Sequence, residues 1–291
     1  MKLIALDLDG TLLTTEKELT AENEAALRRA AGAGIEIIPA TGRFYGAIPE
    51  NVRSLPYLHY AITVNGAQIY DIREDRPLFR SEMPWRRAVE IMEYLDTLPV
   101  IYDCYMDNWG WMTRVLYDRA ADFAPHRHSL EMLQKMRTPV PELKAHLAEV
   151  GHDVQKIQMF FRDMELRARA MADMKARFPD LAVSSSIPRN VELNSLEATK
   201  GVALEKLATH LGIGRADIMA FGDDLNDVTM LRTAGLGVAM ANAGPEARDA
   251  ADWITGSCDE SGVALALNRL VFSSEDVPVS AGPGTEQEIR L

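Results

Sequence analysis

A series of short apolar segments, each ending abruptly in small or polar residues, constrains the fold most. These segments cover residues 3–6, 35–39, 61–64, 218–221 and 236–240. Near-continuous hydrophobicity over such short runs is typical of strands buried on both faces of a parallel sheet. Helical patterns lie between them, one capped by Thr20 and ending at Gly32 or Gly34, another capped by Thr199. We therefore predict an α/β fold with a doubly wound parallel sheet.

The alternation changes in the middle of the chain. Residues 82–189 mix strand and helix patterns, such as 156–161 followed by 164–178. We predict a smaller α/β domain there, inserted into a discontinuous core of residues 1–81 and 190–272. Residues 273–291 are rich in Ser, Glu, Pro and Gly, which predicts a flexible tail.

Composition limits the classes of partner. The chain has 291 residues, with 31 Lys and Arg against 43 Asp and Glu, and a net charge of -12. This charge repels nucleic acids and anionic membranes, so we expect small-molecule partners. Neither of the 2 cysteines has metal-ligand neighbours, and no segment has the pattern of a signal peptide or a membrane span. These features favour a cytoplasmic setting, and they leave a monomer and a weak homodimer equally open.

Two carboxylates follow the first apolar segment. Asp7 and Asp9 lie two residues apart, where an open α/β sheet binds its ligands, and extended chain would direct both to one side. Gly10 would allow close backbone approach to a ligand. The same residue types are also common in exposed turns, so this segment alone does not identify a site.

A second acidic cluster follows another apolar segment. If Asp224 or Asn226 begins a helix, Asp223 and Asp227 lie together at its start. Helix capping alone is the alternative interpretation. Carboxylates gathered from two strand ends would repel one another, and a hard cation with oxygen ligands would relieve that repulsion. Mg²⁺ fits this role best.

Two further segments offer groups for an anion. Thr41 and Gly42 end the second apolar segment with a hydroxyl and free backbone N–H groups, which suit a phosphate oxygen or an ordinary helix cap. Lys200 falls in the first turn of a predicted helix, where the dipole disfavours a cation. A bound anion would explain that position, and so would a solvated surface lysine.

Taken in order, these segments resemble the motifs of the haloacid dehalogenase-like hydrolase superfamily, in particular its Cof-type sugar-phosphate phosphatases of subfamily IIB. The matching segments are Asp7-x-Asp9-Gly10-Thr11-Leu12, Thr41-Gly42-Arg43, Lys200-Gly201 and Gly222-Asp223-x-x-Asn226-Asp227, with Asn65-Gly66-Ala67 and Gly262-Val263-Ala264 in support. The resemblance covers about residues 1–271 and is weakest in the inserted segment, which matches a cap domain in position and size.

The resemblance implies a Mg²⁺-dependent phosphatase that acts on small phosphorylated metabolites through an aspartyl-phosphate. Asp7 would be the nucleophile, and Asp9 would protonate the leaving alcohol and then activate water. Mg²⁺ would be held by Asp7, by the backbone carbonyl of Asp9 and by Asp223, with Asp227 orienting a bound water. The phosphoryl oxygens would be bound by Lys200, Thr41, Asn226 and the backbone N–H groups of Leu8 and Gly42.

Two alternative functions remain open. A phosphomutase shares the aspartyl-phosphate but returns the phosphoryl group to substrate, and a phospho-accepting regulatory protein needs no inserted lid. In the inserted segment, Tyr105, Trp109 and Trp111 are either core residues or a surface for stacking a sugar ring. The pair His126 and His128 has no supporting ligand residues nearby, so we predict no metal site there.

Overall fold

The computed structural model describes residues 1–124, 127–187 and 189–272. The predicted tail 273–291 and His126 lie outside the described residues, and so does the side chain of His128. In chain order, the strands are β1 Leu3–Leu6, β2 Glu36–Pro39, β3 Tyr60–Thr63, β4 Gln68–Asp71, β5 Arg76–Arg80, β6 Ile101–Met106, β7 Trp109–Thr113, β8 Arg137–Val140, β9 Lys156–Phe160, β10 Leu181–Ser184, β11 Asn190–Ser195, β12 Ile218–Gly222, β13 Leu236–Ala239 and β14 Trp253–Ile254.

Helices separate most of these strands. They are α1 Ala21–Gly32, α2 Glu50–Arg53, α3 Trp85–Leu95, α4 Arg114–Asp118, α5 Arg127–Lys135, α6 Leu143–Val150, α7 Met164–Arg177, α8 Lys200–Leu211, α9 Val228–Thr233, α10 Pro245–Ala250 and α11 Gly262–Leu270. Within the described ranges, no helix is both long enough and apolar enough to cross a membrane.

The first sheet is parallel and has the order β14-β13-β12-β1-β2. Strand β1 lies between β12 and β2 and is wholly buried, which explains its uninterrupted apolar sequence. Helix α1 begins where predicted, because the Thr20 side chain accepts a hydrogen bond from the backbone N–H of Asn23. Because β2, β1 and β12 are adjacent and parallel, their carboxyl ends lie side by side at one edge of the sheet.

A smaller antiparallel sheet, β3-β4-β5, adjoins this core. Single parallel bridges connect it to β2, at Ile37 with Leu58 and at Ala40 with Ile62. The sequence predicted a strand of the parallel sheet at 61–64; the strand is present as β3, but it pairs antiparallel with β4.

The third sheet has six strands in the order β10-β11-β9-β6-β7-β8, antiparallel except for the pair β7 and β8. One face packs on an apolar core that includes Cys104, Ile157 and Leu193. The strand Asn190–Ser195 pairs with β9 and β10 in this sheet, whereas residues 190–195 were predicted to belong to the discontinuous core. In this strand the apolar residues Val191 and Leu193 alternate with polar residues, so one face of the strand is apolar and the other is polar.

Candidate active site

Lys200 lies at the centre of the polar groups at the carboxyl edge of the first sheet. Its side chain is 0% exposed, and its Nζ donates to Asp7 Oδ1 and to Asp227 Oδ1, both at 2.6 Å. Helix α8 fixes this position, because Thr199 caps it by accepting from the backbone N–H of Val202. Lys200 is therefore a buried partner of two carboxylates, and not the solvated surface lysine that the sequence left open.

Asp227 is held at both of its carboxylate oxygens. Oδ1 accepts from Lys200, and Oδ2 accepts from the backbone N–H groups of Asp223 and Asp224 at 3.0 and 3.1 Å. Asp224, one of the two residues considered for the helix start, caps the turn that leads into α9. Asp223 Oδ1 accepts from the hydroxyl of Thr11 at 2.7 Å. Hydrogen bonds to Lys200 and to the turn therefore engage both oxygens of Asp227, whereas Oδ2 of Asp223 faces Gly10.

Three carboxylates gather at this edge, and Lys200 pairs with two of them, Asp7 and Asp227. Oxygen atoms of Asp7, Asp223 and Asp227 all lie within 4.8 Å of one another. Burial raises the pKa of Asp7 well above its usual range. Attraction to Lys200 lowers this pKa, and repulsion from Asp227 and Asp223 raises it further. Burial, followed by repulsion from Asp227, raises the pKa of Asp223 to about 7. These residues therefore fit a hard divalent cation, which takes oxygen ligands and neutralises such crowding.

Asp9 has different partners from Asp7. Arg43 donates to both of its oxygens, from Nε at 2.7 Å and from Nη2 at 2.8 Å, and Lys17 Nζ lies 3.0 Å from Oδ1. Although burial opposes ionisation, the hydrogen bonds and charge of Arg43, with Lys17, hold the pKa of Asp9 well below its usual range. Asp9 is thus an ionised carboxylate in an ion pair.

The predicted phosphate-binding residues gather beside these acids. Thr41 is buried after β2, and its hydroxyl accepts from the backbone N–H of Arg43. A Cβ atom on Gly42 would lie 2.9 Å from Asn65 Oδ1 and 3.8 Å from Asn226 Nδ2, so these three residues are neighbours. Asn226 Nδ2 also donates to Asn65 Oδ1 at 3.1 Å. Leu8 follows Asp7 and is buried beneath the same edge.

Sequence reasoning gave no role to several residues that contact this site, namely Thr11, Lys17, Arg43 and Asn65. Thr11, Arg43 and Asn65 lie within or next to the recognised motifs, which was the available signal. Lys17 carried no signal, because its contact with Asp9 depends on the path of the loop between β1 and α1.

Gly10 provides a test of how tightly this edge is packed. Its φ is +90°, and a Cβ atom would lie 2.4 Å from Asp223 Oδ2. We expect Gly10→Ala to destabilise the protein by about 1–3 kcal/mol, from backbone strain and from displacement of Asp223. Gly32→Ala is the matched control, because apart from its own helix backbone and chain neighbours no atom of the described residues lies within 4 Å of its added Cβ. Equal thermal unfolding midpoints for the two variants would contradict the packing described above.

Comparison with known proteins agrees with this geometry. A family model described as haloacid dehalogenase-like hydrolase matches residues 4–267. Phosphatase YwpJ of Bacillus subtilis is 32% identical over 93% of this chain and 100% of its own. The 5-amino-6-(5-phospho-D-ribitylamino)uracil phosphatase YcsE of the same organism is 30% identical over 94% of this chain and 96% of its own.

A solved structure of a haloacid dehalogenase-like hydrolase from B. subtilis also matches. Its TM-score is 0.80 at 32% sequence identity, and the match covers 93% of this chain and 100% of that one. The chain belongs to the haloacid dehalogenase-like hydrolase family. The resemblance, the fold class and the enzyme class predicted from the sequence are confirmed: this is a hydrolase of that family, and its relatives are phosphatases.

Proposed function

We propose that the protein is a Mg²⁺-dependent phosphatase that hydrolyses small phosphate esters through an aspartyl-phosphate on Asp7. One observation carries this proposal: Asp7 is buried at the carboxyl end of β1, held by Lys200, and grouped with Asp223 and Asp227. The phosphatase names of the relatives support the same reaction. Relatives named as phosphatases of 5-amino-6-(5-phospho-D-ribitylamino)uracil and of pyridoxal phosphate favour small phosphorylated metabolites, and we propose sugar phosphates or phosphorylated cofactors as substrates.

In the proposed first step, a carboxylate oxygen of Asp7 attacks phosphorus and the alcohol leaves. Lys200 holds the attacking group in place by its hydrogen bond, and its charge offsets the negative charge of the phosphoryl oxygens. The hydroxyl of Thr41, the amide of Asn226 and the backbone N–H groups of Leu8 and Gly42 bind those oxygens. Water then attacks the aspartyl-phosphate and releases inorganic phosphate.

The candidate ligands for Mg²⁺ are the carboxylates of Asp7 and Asp223 and the backbone carbonyl of Asp9. When bound, the ion would neutralise charge on the transferring phosphoryl group. Asp227 is suited to a supporting role, because both of its oxygens are already engaged by Lys200 and by backbone N–H groups.

Asp9 is the proposed acid and base. Its ionised form suits the second step, in which it accepts a proton from the attacking water. To protonate the leaving alcohol in the first step, it must first take up a proton, which its ion pairs with Arg43 and Lys17 oppose. We therefore propose that substrate binding separates Arg43 from Asp9, because a guanidinium group is also a bidentate partner for a phosphate ester.

Release of inorganic phosphate tests the proposed function. With a panel of sugar phosphates and p-nitrophenyl phosphate, we expect Mg²⁺-dependent release that stops after exhaustive chelation. A phosphomutase would instead return the phosphoryl group to a second sugar hydroxyl, and a regulatory protein would stay phosphorylated without turnover. Undiminished release after chelation would contradict the proposed role of Mg²⁺.

Binding of Mg²⁺ can be measured without turnover. We expect Mg²⁺ to raise the thermal unfolding midpoint of the wild type. At a concentration 100-fold above the dissociation constant, the gain in the free energy of unfolding should be about 2.7 kcal/mol. Asp223→Asn should lose most of this gain. Asp224→Asn is the matched control, because Asp224 lies outside the acidic group and asparagine can still cap the turn. An equal gain in Asp223→Asn and in the wild type would exclude Asp223 as a ligand.

We also propose that the six-stranded sheet and its helices form a cap over this site. Lys156 of β9 donates to the backbone carbonyl of Gly42 at 2.9 Å, and Asn65 donates to Glu192 of β11 at 2.8 Å. These contacts join the cap to the loops that bind phosphate. Closure of such a cap would exclude water and enclose the substrate.

A further inference from the structure

On the face opposite its apolar core, the six-stranded sheet carries buried polar side chains beside an apolar cluster that includes Ile101, Met112 and Phe160. Strand alternation places two rungs of residues on this face, opposite the apolar core. The outer rung contains Asn194, Lys156, Tyr105, Gly110 and Arg137, and the inner rung contains Glu192, Gln158, Asp103, Met112 and Pro139. Because burial of polar groups is costly, a buried polar face requires a reason beyond stability.

The outer rung identifies what this face covers. Asn194 Nδ2 donates to the carbonyl of Val64, and Lys156 Nζ donates to the carbonyl of Gly42. The ring of Tyr105 meets Phe44 edge-on, with centroids 5.5 Å apart. All three contacts are with the loops after β2 and β3, so the polar face is directed at the candidate active site.

The charges on this face balance in pairs. Lys156 lies 2.7 Å from Glu192, and Arg137 Nε lies 2.9 Å from Asp103 Oδ2. Two cations against two carboxylates leave no net charge to attract or repel an ionic leaving group. A neutral, polar leaving group is therefore the best complement to the face.

Arg137 reaches Asp103 across β7. Gly110 lies opposite Arg137 in the register, and a Cβ atom there would lie 2.3 Å from Arg137 Cδ. The missing side chain at Gly110 thus leaves a path for the arginine stem. Arg137 and Gln158 both donate to the same oxygen of Asp103, Oδ2.

The other oxygen of Asp103 has no hydrogen-bond partner among the described residues. Oδ1 is buried in a residue that is 0% exposed, and it accepts no hydrogen bond from the part of the chain that the structure describes. A buried carboxylate oxygen without a donor is costly, and a ligand that supplies a donor would recover that cost. The anchoring of Oδ2 also fixes the direction in which Oδ1 can accept.

We propose that Asp103 is a specificity-determining residue, whose Oδ1 accepts a hydrogen bond from a hydroxyl or N–H group of an uncharged leaving group. This inference rests on the proposed function and deepens it. It selects esters of polyols, sugars or other donor-bearing neutral alcohols over esters whose leaving group has no donor.

The test compares two kinds of substrate in variants that remove the acceptor. The donor-bearing probes are glucose 6-phosphate, ribose 5-phosphate and glycerol 2-phosphate, and the donor-free probe is p-nitrophenyl phosphate. Because Asp103→Leu alone leaves Arg137 buried without its partner, Asp103→Leu is combined with Arg137→Met. Asp103→Asn is the conservative variant, since it keeps an acceptor oxygen.

We expect the double variant to lose about 10- to 100-fold in the ratio of kcat/KM for the best donor-bearing probe to kcat/KM for p-nitrophenyl phosphate, mainly through KM. Asp103→Asn should keep more of this ratio. Asp163→Ala is the control. It removes the N-terminal cap of α7, which follows β9, and changes no residue of the polar face, so it should leave the ratio unchanged.

The outcomes separate this inference from the proposed function. An unchanged ratio in the double variant overturns the role of Asp103, and so does a wild type that hydrolyses p-nitrophenyl phosphate but no donor-bearing probe. Equal losses on both kinds of substrate also overturn it, because they indicate a purely structural role. A wild type that releases no phosphate from any probe overturns the proposed function together with the inference.

Discussion

Asp7→Asn is expected to reduce phosphate release by roughly 10³-fold or more, because it replaces the proposed nucleophile. The change is nearly isosteric, and the asparagine oxygen can still accept from Lys200. Burial and neighbouring carboxylates disfavour the ionised form of Asp7, so the metal-free variant should be at least as stable as the wild type. The measurements are steady-state phosphate release and thermal unfolding.

Asp224→Asn serves as the control for this change. Asp224 lies at the same edge, but its side chain caps a turn and takes no part in the proposed reaction. We expect this variant to retain phosphate release. Near-wild-type activity in Asp7→Asn would exclude Asp7 as the nucleophile, whatever the activity of the control.

Lys200→Met is expected to have the second largest effect, on both activity and stability. Its removal leaves Asp7 and Asp227 buried without their shared cation, which should cost about 3–5 kcal/mol of stability. Loss of its charge beside the phosphoryl group should lower kcat by about 10²–10³-fold. Chemical denaturation and phosphate release measure the two effects separately.

Lys206→Met is the matched control on the same helix. Lys206 is partly exposed and pairs with Glu197 at 3.0 Å, so its replacement should change stability by less than about 0.5 kcal/mol. Equal effects of the two substitutions would contradict the description of Lys200 as the buried partner of Asp7 and Asp227.

The parallel core was predictable from sequence because its signals are local. The apolar runs at 3–6 and 218–221 have no polar interruption, since β1 and β12 are buried on both faces. Thr199 and Gly212 delimit α8 by capping. The placement of β11 was not predictable in the same way, because pairing with β9 depends on contacts distant in sequence. The division into a core and a cap therefore stays a prediction in its details.

The candidate site was partly predictable. The spacing of Asp7 and of Asp223 after adjacent strands indicated that they would meet, and the structure brings them together with Lys200. Asp9 was also expected to point towards this group. Its carboxylate pairs with Arg43 instead. Which of several nearby cations a carboxylate selects depends on loop paths, and these leave no periodic pattern in the sequence.

The residues of the cap were least predictable. Neighbouring residues of β6 lie in different surroundings, because Cys104 packs in an apolar core while Asp103 on the opposite face pairs with Arg137. The ring of Tyr105 contacts Phe44 and the cations of Lys156 and Arg137. The two roles considered from the sequence, a core residue and a surface for stacking a sugar ring, did not include these cation contacts. Only the register of the strands reveals this arrangement.

The most direct test of the central claim is chemical trapping of the phosphorylated residue. A single turnover of ³²P-labelled substrate, quenched in acid within milliseconds, should place the label on the chain before inorganic phosphate appears. Borohydride reduction and peptide mass analysis should then locate the modified residue at Asp7. Complete release of phosphate with no labelled protein at any time, or a label on another residue, would contradict the account.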